Sequence, residues 1–451
     1  MQNKRPNIIL MVSDDHGREA LGCYGNPIVR TPHLDRLAAD GMLFRQAFCT
    51  TPSCAASRSV MLTGHHNHTN GTYGHTHGQH HFACFEDVLT LPKLLNDSGY
   101  RTACVGKKHY APESVYPFQE QLGEHDYGRD DLRMADACAD FISEASPFFL
   151  YWCSYNPHRT PNTVKNHPLQ PNDFGNPEQP FAGDEEAVYS EESVVVPPWL
   201  PDNAHTRAEL AQDYQSISRL DRGVGRLIEL LKEKGVYENT YIMYISDNGA
   251  AFPGSKTTLY DPGMRLPCIV KAPTSSPQQG ESGELIAWYD IAPTILDYAG
   301  VPQLSDHMFG ESFRPLLEGN TSDWMREEVY ASHTFHEITN YYPMRVIRSK
   351  KYKFIWNVAH PLTFSFASDL WESATWAPYR EDGESHFGQR QVVDYLHRPC
   401  FELYDLEQDA DEVHNLAGLP EYQDQVQQFS DKIKQFQQAT MDPWLHKWEY
   451  E

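Results

Sequence analysis

The sequence contains no apolar run long enough to span a bilayer, and no signal-peptide pattern of charge, apolar core and cleavage site precedes its first strand-like run. We therefore expect no membrane association and a cytoplasmic location, or a periplasmic or secreted one if a leader has been removed. Cysteine is sparse, and its odd total of nine argues against a disulfide framework. Cys104 and Cys268 lie in apolar runs, which favours free thiols in a reducing compartment.

Basic residues are also scarce, since 37 lysines and arginines stand against 62 aspartates and glutamates, for a formal net charge of −25. This balance disfavours nucleic acid as a partner and offers no general attraction to any polyanion. An anionic ligand would need positive charge focused at one site. The acidity is equally explained as an adaptation for solubility.

Internal repeats and low-complexity tracts are absent, and the 451 residues, 40% of them hydrophobic, can bury a sizeable core. Apolar runs at 7–12, 101–105, 148–152, 241–246 and 268–271 alternate with helical patterns, which predicts an α/β sheet in a domain covering 1–328. After about residue 328 the alternation stops. There we expect a smaller α+β domain, 329–451, with an antiparallel sheet within 330–358 and a helix after Pro420 that docks through an apolar stripe.

Cys54 is the most informative residue, because it precedes an apolar stretch that could form a helix with a thiol at its N-terminus. Taken alone, this pattern favours a buried structural cysteine. The surrounding run, PSCAASRSVMLTG over residues 52–64, resembles the signature of the type I sulfatases. Members of that family oxidise this cysteine to formylglycine. Ala56 stands where most members carry proline, which implies maturation by a radical-type sulfatase-maturing enzyme rather than by the aerobic one.

Three further segments resemble sulfatase signatures in the family's order, and they read IILMVSDD at 8–15, GYRTACVGKKH at 99–109 and YISDNG at 244–249. The resemblance implies an alkaline-phosphatase-like α/β fold with a large mixed sheet. Carboxylate and amide oxygens at strand ends suit a hard cation, so we expect one calcium ion, with magnesium as the alternative. The expected ligands are Asp14, Asp15, Asp247, Asn248 and the modified Cys54. Each acidic run by itself is also a good turn sequence.

The resemblance also implies the catalytic set, which is Cys54, Arg58, Lys107, His109, His158 and Lys256. In that mechanism one hydroxyl of the hydrated aldehyde attacks sulfur, and His158 or Lys256 protonates the leaving group. His109 then takes a proton from the second hydroxyl, which expels sulfate and restores the aldehyde. The fixed cations Arg58, Lys107 and Lys256 neutralise charge on the sulfuryl group.

Several segments outside these signatures resemble the N-sulfoglucosamine sulfohydrolase (sulfamidase) branch of the family, among them GKKHYAPESVYPF at 106–118 and HEITNYYPMR at 336–345. We therefore expect a sulfatase acting on N-sulfoglucosamine at a chain end. His336, Glu337 and Arg345 are the expected saccharide contacts, with surface ion pairing as the alternative. Other readings are an O-sulfatase for another sulfated glycan, such as a marine polysaccharide, a phosphonate or phosphodiester hydrolase, and a non-enzymatic glycan-binding protein.

Two segments remain outside this scheme. Residues 161–203, rich in Pro, Asn, Asp and Glu, form too long a connection to be ordinary, and we expect them to cap the pocket. Histidines are frequent just after the Cys54 run, at 65, 66, 68, 75, 77, 80 and 81. Since their spacing matches no compact zinc module, we expect a pocket wall or a solvated loop. The sequence leaves the oligomeric state open, with a homodimer as one option.

Overall fold

A computed structural model describes residues 5–123, 129–143, 147–160, 173–273, 279–302 and 308–450. Its main element is an eight-stranded mixed sheet. The strands are β1 (Asn7–Asp14), β2 (Met42–Phe48), β3 (Arg101–Gly106), β4 (Glu120–Leu122), β5 (Phe148–Pro157), β6 (Thr240–Ser246), β7 (Cys268–Lys271) and β8 (Gly280–Ala287). Their order across the sheet is β4-β3-β5-β1-β6-β7-β2-β8.

The centre of this sheet is parallel. β1 pairs in parallel with β5 on one side and with β6 on the other, and every residue of β1 and β6 is buried. Long apolar runs without alternation are what a sheet covered on both faces requires. Because parallel strands end at the same edge, the residues that follow β1, β5 and β6 must lie close together.

Helices cover both faces of the sheet. Those of the first 317 residues are α1 (Pro32–Ala39), α2 (Cys54–Thr63), α3 (Asn67–Asn70), α4 (Leu91–Asp97), α5 (Asp131–Asp136), α6 (Ala204–Glu233), α7 (Asp261–Met264), α8 (Ile291–Tyr298) and α9 (Arg314–Leu317). Ile9 of β1 packs in a cluster with Leu220 of α6, whereas Ile8 packs in a second cluster with Val60 of α2. The alternating side chains of β1 thus hold both helical layers.

The C-terminal region forms a second, antiparallel sheet of four strands. It contains β9 (Glu328–His333), β10 (Met344–Ser349), β11 (Tyr352–Asn357) and β14 (Phe401–Asp405), and the hairpin β12 (His386–Phe387) and β13 (Arg390–Gln391) precedes β14. The remaining helices are α10 (Ser368–Trp371), α11 (Ala377–Glu381), α12 (Val392–Leu396), α13 (Gln423–Ala439) and α14 (Lys447–Tyr450).

The fold class expected from the sequence is confirmed, including the C-terminal helix. Phe429 and Ile433 of α13 pack against Phe354 of the antiparallel sheet, as the apolar stripe after Pro420 predicts. The sequence pattern predicted none of β2, β4 and β8. β8 begins with the polar run GESG at the sheet edge, so its first half carries no apolar signal. The division of the chain into 1–328 and 329–451 stays a proposal.

All nine cysteines are free, as expected. None of the helices in the described ranges combines the length and the apolar character that crossing a bilayer requires.

Candidate active site

The ends of β1 and β6 bring four oxygen-bearing side chains together. Ser13 and Ser246 are in register, so Asp14 and Asp15 lie beside Asp247 and Asn248. The backbone N–H of Asp15 donates to Asp247 Oδ1 at 3.1 Å, and Asn248 Nδ2 donates to Asp15 Oδ1 at 2.6 Å. All four side chains are fully buried.

Cys54 enters this cluster as the first residue of α2. Its thiol is fully buried, with Sγ 3.9 Å from Asp15 Oδ1. Burial raises the pKa of the Cys54 thiol well above its usual value, and although Lys107 acts against the rise, the carboxylates of Asp247, Asp14 and Asp15 add to it. An unmodified cysteine here would remain a protonated thiol, which is a poor nucleophile.

The donor set fits a divalent cation. One oxygen each from Asp14, Asp15 and Asp247 lies within 4.8 Å of the others and of the Cys54 sulfur. Asp14 Oδ1 and Asn248 Oδ1 are buried and have no hydrogen-bond partner among the described residues. Burial and the neighbouring Asp14 raise the pKa of Asp247 to about 7, a sign of crowded negative charge. Orphaned oxygens and crowded carboxylates are the features that a hard cation such as calcium satisfies.

Three fixed cations surround the same carboxylates. Arg58, one turn into α2, places Nη2 2.8 Å from Asp247 Oδ2. Lys107 follows β3, and its Nζ lies 2.5 Å from Asp14 Oδ2. Lys256, in the loop after β6, lies 2.8 Å from Asp15 Oδ2 and 2.7 Å from Asp369 Oδ2. Three fixed cations are therefore held at the carboxylate cluster by ion pairs.

Two histidines complete the set. His158 follows β5, with Nε2 3.4 Å from Lys256 Nζ and 3.8 Å from Asp15 Oδ2. Burial and the charge of Lys256 lower the pKa of His158 to about 4, although Asp14 and Asp15 oppose the shift. His109 lies in the loop after β3, where its Nε2 is 3.0 Å from His77 Nδ1. Every residue predicted for metal binding or catalysis thus lies at this edge of the sheet.

A cavity of about 850 Å³ opens above the cluster. Lys107, His158 and Lys256 line it near the cluster, together with Asp14. The remaining wall carries both signs of charge, from the carboxylates Glu113, Asp173, Glu337, Asp369 and Glu372 and the cations Lys108 and Arg159. Several of these pair with each other or with the cluster, since Glu113 contacts Lys108, Asp173 contacts Arg159 and Asp369 contacts Lys256.

The three expected saccharide contacts are separated by the fold. His336 and Glu337 line the cavity. His336 also lies 3.0 Å, through Nδ1, from Ser53 Oγ, and Glu337 accepts hydrogen bonds from the backbone N–H and the hydroxyl of Ser368. Arg345 does not line the cavity, because its guanidinium is fully buried in a bidentate ion pair with Asp442. The expectation that Arg345 contacts a saccharide is therefore corrected to a structural role.

The cap and the histidine loop are described in part. Residues 161–172 of the expected cap lie outside the described residues, whereas Asp173 lies in the cavity wall. Among the loop histidines, His75, His77 and His80 line the cavity as expected. His66 and His68 were expected in a pocket wall or solvated loop and are instead core residues, stacked on each other and packed on Phe436 of α13.

Two residues of the site were not predicted from the sequence. Asp369 comes from α10, far along the chain from its partner Lys256, and no local pattern marks it. Arg129 donates to the backbone oxygen of His158 at 2.5 Å and to Asn156 Oδ1 at 3.2 Å, so it holds the loop that carries His158. An isolated arginine in a polar stretch offers no signal of such a role.

The family model "Sulfatase" matches residues 6–301, and the model "N-sulphoglucosamine sulphohydrolase, C-terminal" matches residues 254–372. Human N-sulphoglucosamine sulphohydrolase is 33% identical, over 97% of this chain and 91% of the relative. An ulvan-active sulfatase of Formosa agariphila is 30% identical, over 93% of this chain and 77% of the relative.

A solved structure, BT4656 in complex with its substrate D-glucosamine-2-N,6-O-disulfate, has a TM-score of 0.70 and 22% identity, and the match covers 98% of this chain and 99% of that one. This likeness shows the alkaline-phosphatase-like fold. Since the sequence matches extend over nearly the whole chain, the protein belongs to the sulfatase family and is a hydrolase of sulfuric esters or sulfamates.

Proposed function

We propose that this sulfatase removes the N-sulfate from glucosamine at the end of a sulfated saccharide, with formylglycine at position 54 and one calcium ion. The name of the human relative supports the substrate, as does the match of the C-terminal region to the sulphohydrolase family model. The orphaned oxygens of Asp14 and Asn248 support the ion.

The observation that carries the proposal is the placement of two fixed cations in the cavity wall beside the carboxylate cluster. A sulfuryl group fits against Lys107 and Lys256, where fixed cations stabilise its developing charge. The sugar ring then lies near Glu337 and Glu372, whose carboxylates accept hydrogen bonds from hydroxyl and amine groups. The net negative charge of the chain repels further sulfates, which favours a chain end over an internal residue.

Asp14, Asp15, Asp247 and Asn248 would hold the calcium ion. When bound, calcium supplies Lewis-acid polarisation of sulfuryl and residue-54 oxygens. Arg58 holds Asp247 through a buried ion pair and so orients this ligand.

The residues that move protons lie on the cavity side of this cluster. His158 Nε2 lies 3.4 Å from Lys256 Nζ, so the Lys256 ammonium is the proposed proton source for the departing nitrogen, either directly or through His158. Lys256 is held between Asp15 and Asp369, which fixes its ammonium toward the base of the cavity. His109 is the proposed base for residue 54 in the second half of the reaction.

Maturation of Cys54 is proposed to precede folding. All ten residues of α2 are buried, so a maturing enzyme could not reach the thiol in the folded chain. Ala56 lies inside this helix, and its place in the signature supports the radical-type enzyme.

Sulfate release from defined saccharides tests the substrate. Calcium-loaded protein carrying the modification should release sulfate from N-sulfoglucosamine at a non-reducing end much faster than from 6-O-sulfated N-acetylglucosamine. Preferential release from an O-sulfated glycan would replace the proposal with an O-sulfatase. Faster turnover of a phosphonate monoester than of every sulfated sugar would indicate that the protein is a phosphonate hydrolase. Cys54→Ser protein, prepared in parallel, controls for contaminating hydrolases.

A further inference from the structure

Three histidines meet at the wall of the catalytic cavity. His75 and His77 come from the loop between α3 and α4, whereas His109 comes from the loop after β3. One ring nitrogen of each lies within 4.8 Å of the others. The reaction proposed above uses only His109, so His75 and His77 need another explanation.

The spacing of two of these nitrogens is close to that of ligands in a tetrahedral metal site. Zinc binds imidazole nitrogen at about 2.0–2.1 Å, which places two tetrahedral ligands about 3.3–3.4 Å apart. His77 Nδ1 and His109 Nε2 are 3.0 Å apart, so their hydrogen bond would only have to open slightly. The ring centres of His75 and His109 are 4.8 Å apart, and those of His75 and His77 are 4.9 Å apart.

A buried nitrogen without a partner points to a ligand. His75 Nδ1 is buried and has no hydrogen-bond partner among the described residues, and His75 is only 8% exposed. Burial lowers the pKa of His75 to about 2, so this ring is neutral, which is the form that binds metals. The positive charges of Lys107 and Lys256 disfavour a metal cation at these histidines, whereas the negative charge of Glu337 favours one.

Donor chemistry distinguishes this cluster from the calcium site. Imidazole nitrogens suit zinc and copper, whereas the carboxylate cluster below suits calcium. We propose that His75, His77 and His109 form a second metal site, selective for a borderline transition-metal ion such as Zn²⁺, and that zinc bound there withdraws His109 from catalysis. The fourth coordination position faces the cavity and is left for water or a substrate oxygen.

Local sequence spacing cannot reveal this site. His75 and His77 are separated by one residue, but His109 lies 32 residues beyond His77. Only the approach of the two loops over the cavity supplies the third ligand.

Metal binding to the calcium-loaded full-length protein tests the proposal directly. Titration with Co²⁺ should produce the visible absorption of tetrahedral cobalt at one equivalent, and Zn²⁺ should displace it. His77→Gln and His75→Gln should each weaken zinc binding by about tenfold or more, because even the loss of a residue that only supports a metal ligand costs about 10–100-fold in affinity. His81→Asn is the matched control, because His81 is exposed in the same loop, and it should bind zinc as the unaltered chain does.

Activity supplies the second readout, with each variant compared with its own zinc-free rate. Zinc should inhibit the unaltered chain and His81→Asn at the concentration that saturates the cobalt site, and His77→Gln should need at least tenfold more. His77→Gln is decisive if His75→Gln fails to fold, since His77 is exposed. Unchanged zinc affinity in His77→Gln would overturn the proposal, as would inhibition accompanied by release of the calcium.

Discussion

Cys54 has no exposed surface and lies among three carboxylates, and its burial together with their charge keeps the thiol protonated. A thiol in this position can neither attack sulfur efficiently nor release sulfate by elimination. The placement therefore supports the proposal that residue 54 carries a different group in the active protein.

We predict that active protein carries formylglycine at position 54 and that Cys54→Ser lowers turnover by roughly a thousandfold or more while preserving the fold. Serine can attack sulfur but cannot regenerate a free enzyme by elimination. Peptide mass spectrometry after co-expression with a radical maturase checks the modification, and circular dichroism checks the fold. Full activity from protein whose residue 54 is an unmodified thiol would contradict this prediction.

Asp247 is a proposed calcium ligand that also bonds Arg58 and the backbone N–H of Asp15. We expect Asp247→Ala to lose both calcium and activity. Calcium at a hundred times its Kd should stabilise the unaltered protein by about 2.7 kcal/mol and the variant hardly at all. Thermal unfolding with and without calcium measures this, alongside elemental analysis. Active protein containing zinc but no calcium or magnesium would refute the oxygen-ligand site.

At the scale of elements, β10 is joined to the segment after α13 by a buried ion pair. Arg345 bonds both oxygens of Asp442, and Gln437 at the end of α13 donates to the same carboxylate at 3.0 Å. Burial acts to raise the pKa of Asp442, but the charge of Arg345 outweighs it and holds the pKa well below its usual value. This pair fixes the helix end against the sheet.

Arg345→Ala should therefore destabilise the fold by about 3–5 kcal/mol, because it leaves a buried carboxylate unpaired. Turnover of a saccharide and of a small aryl sulfate should fall together, since the residue touches neither. Arg36→Ala is the control, because Arg36 forms an exposed ion pair with Asp40 that is worth about 1 kcal/mol or less. Selective loss of saccharide turnover would restore Arg345 as a substrate contact.

The Arg345–Asp442 ion pair also makes the free energy of unfolding depend on pH in the acid range. A carboxylate whose pKa is lowered by folding stabilises the native state above the unfolded pKa, about 3.9, and loses that contribution as the pH falls below it. Asp442→Asn should remove this part of the pH dependence. Unfolding free energies measured from about pH 2 to pH 6 check the prediction, because the contribution is lost below the unfolded pKa, and equal acid sensitivity of both proteins would contradict it.

At the scale of the whole molecule, a net charge of −25 surrounds a site that holds three fixed cations. A long sulfated polymer approaches against this field, whereas a disaccharide carries little charge. Raising the ionic strength from about 0.01 M to 0.15 M shortens the screening length from about 30 Å to 8 Å. We predict that KM for the polymer then falls severalfold relative to KM for the disaccharide. Rapid release from the polymer interior at low salt would contradict the chain-end proposal.

The sequence by itself determined the sulfatase family, the α/β class and the identity of the residues at the sheet edge. These depend on local runs: apolar strands end in acids, and the signature around Cys54 is continuous. Parallel strands then necessarily bring Asp14 and Asp247 together, so no long-range information was needed.

Only the tertiary structure decided which polar residues face the cavity. Arg345 and His336 belong to one sequence run, yet the first is buried against Asp442 and the second lines the cavity. Asp369, Arg129 and the His75, His77 and His109 cluster owe their positions to loops that meet across the sheet edge. Such contacts join residues far apart in the chain, and single-sequence periodicity cannot report them because it records only which face of one element a residue occupies.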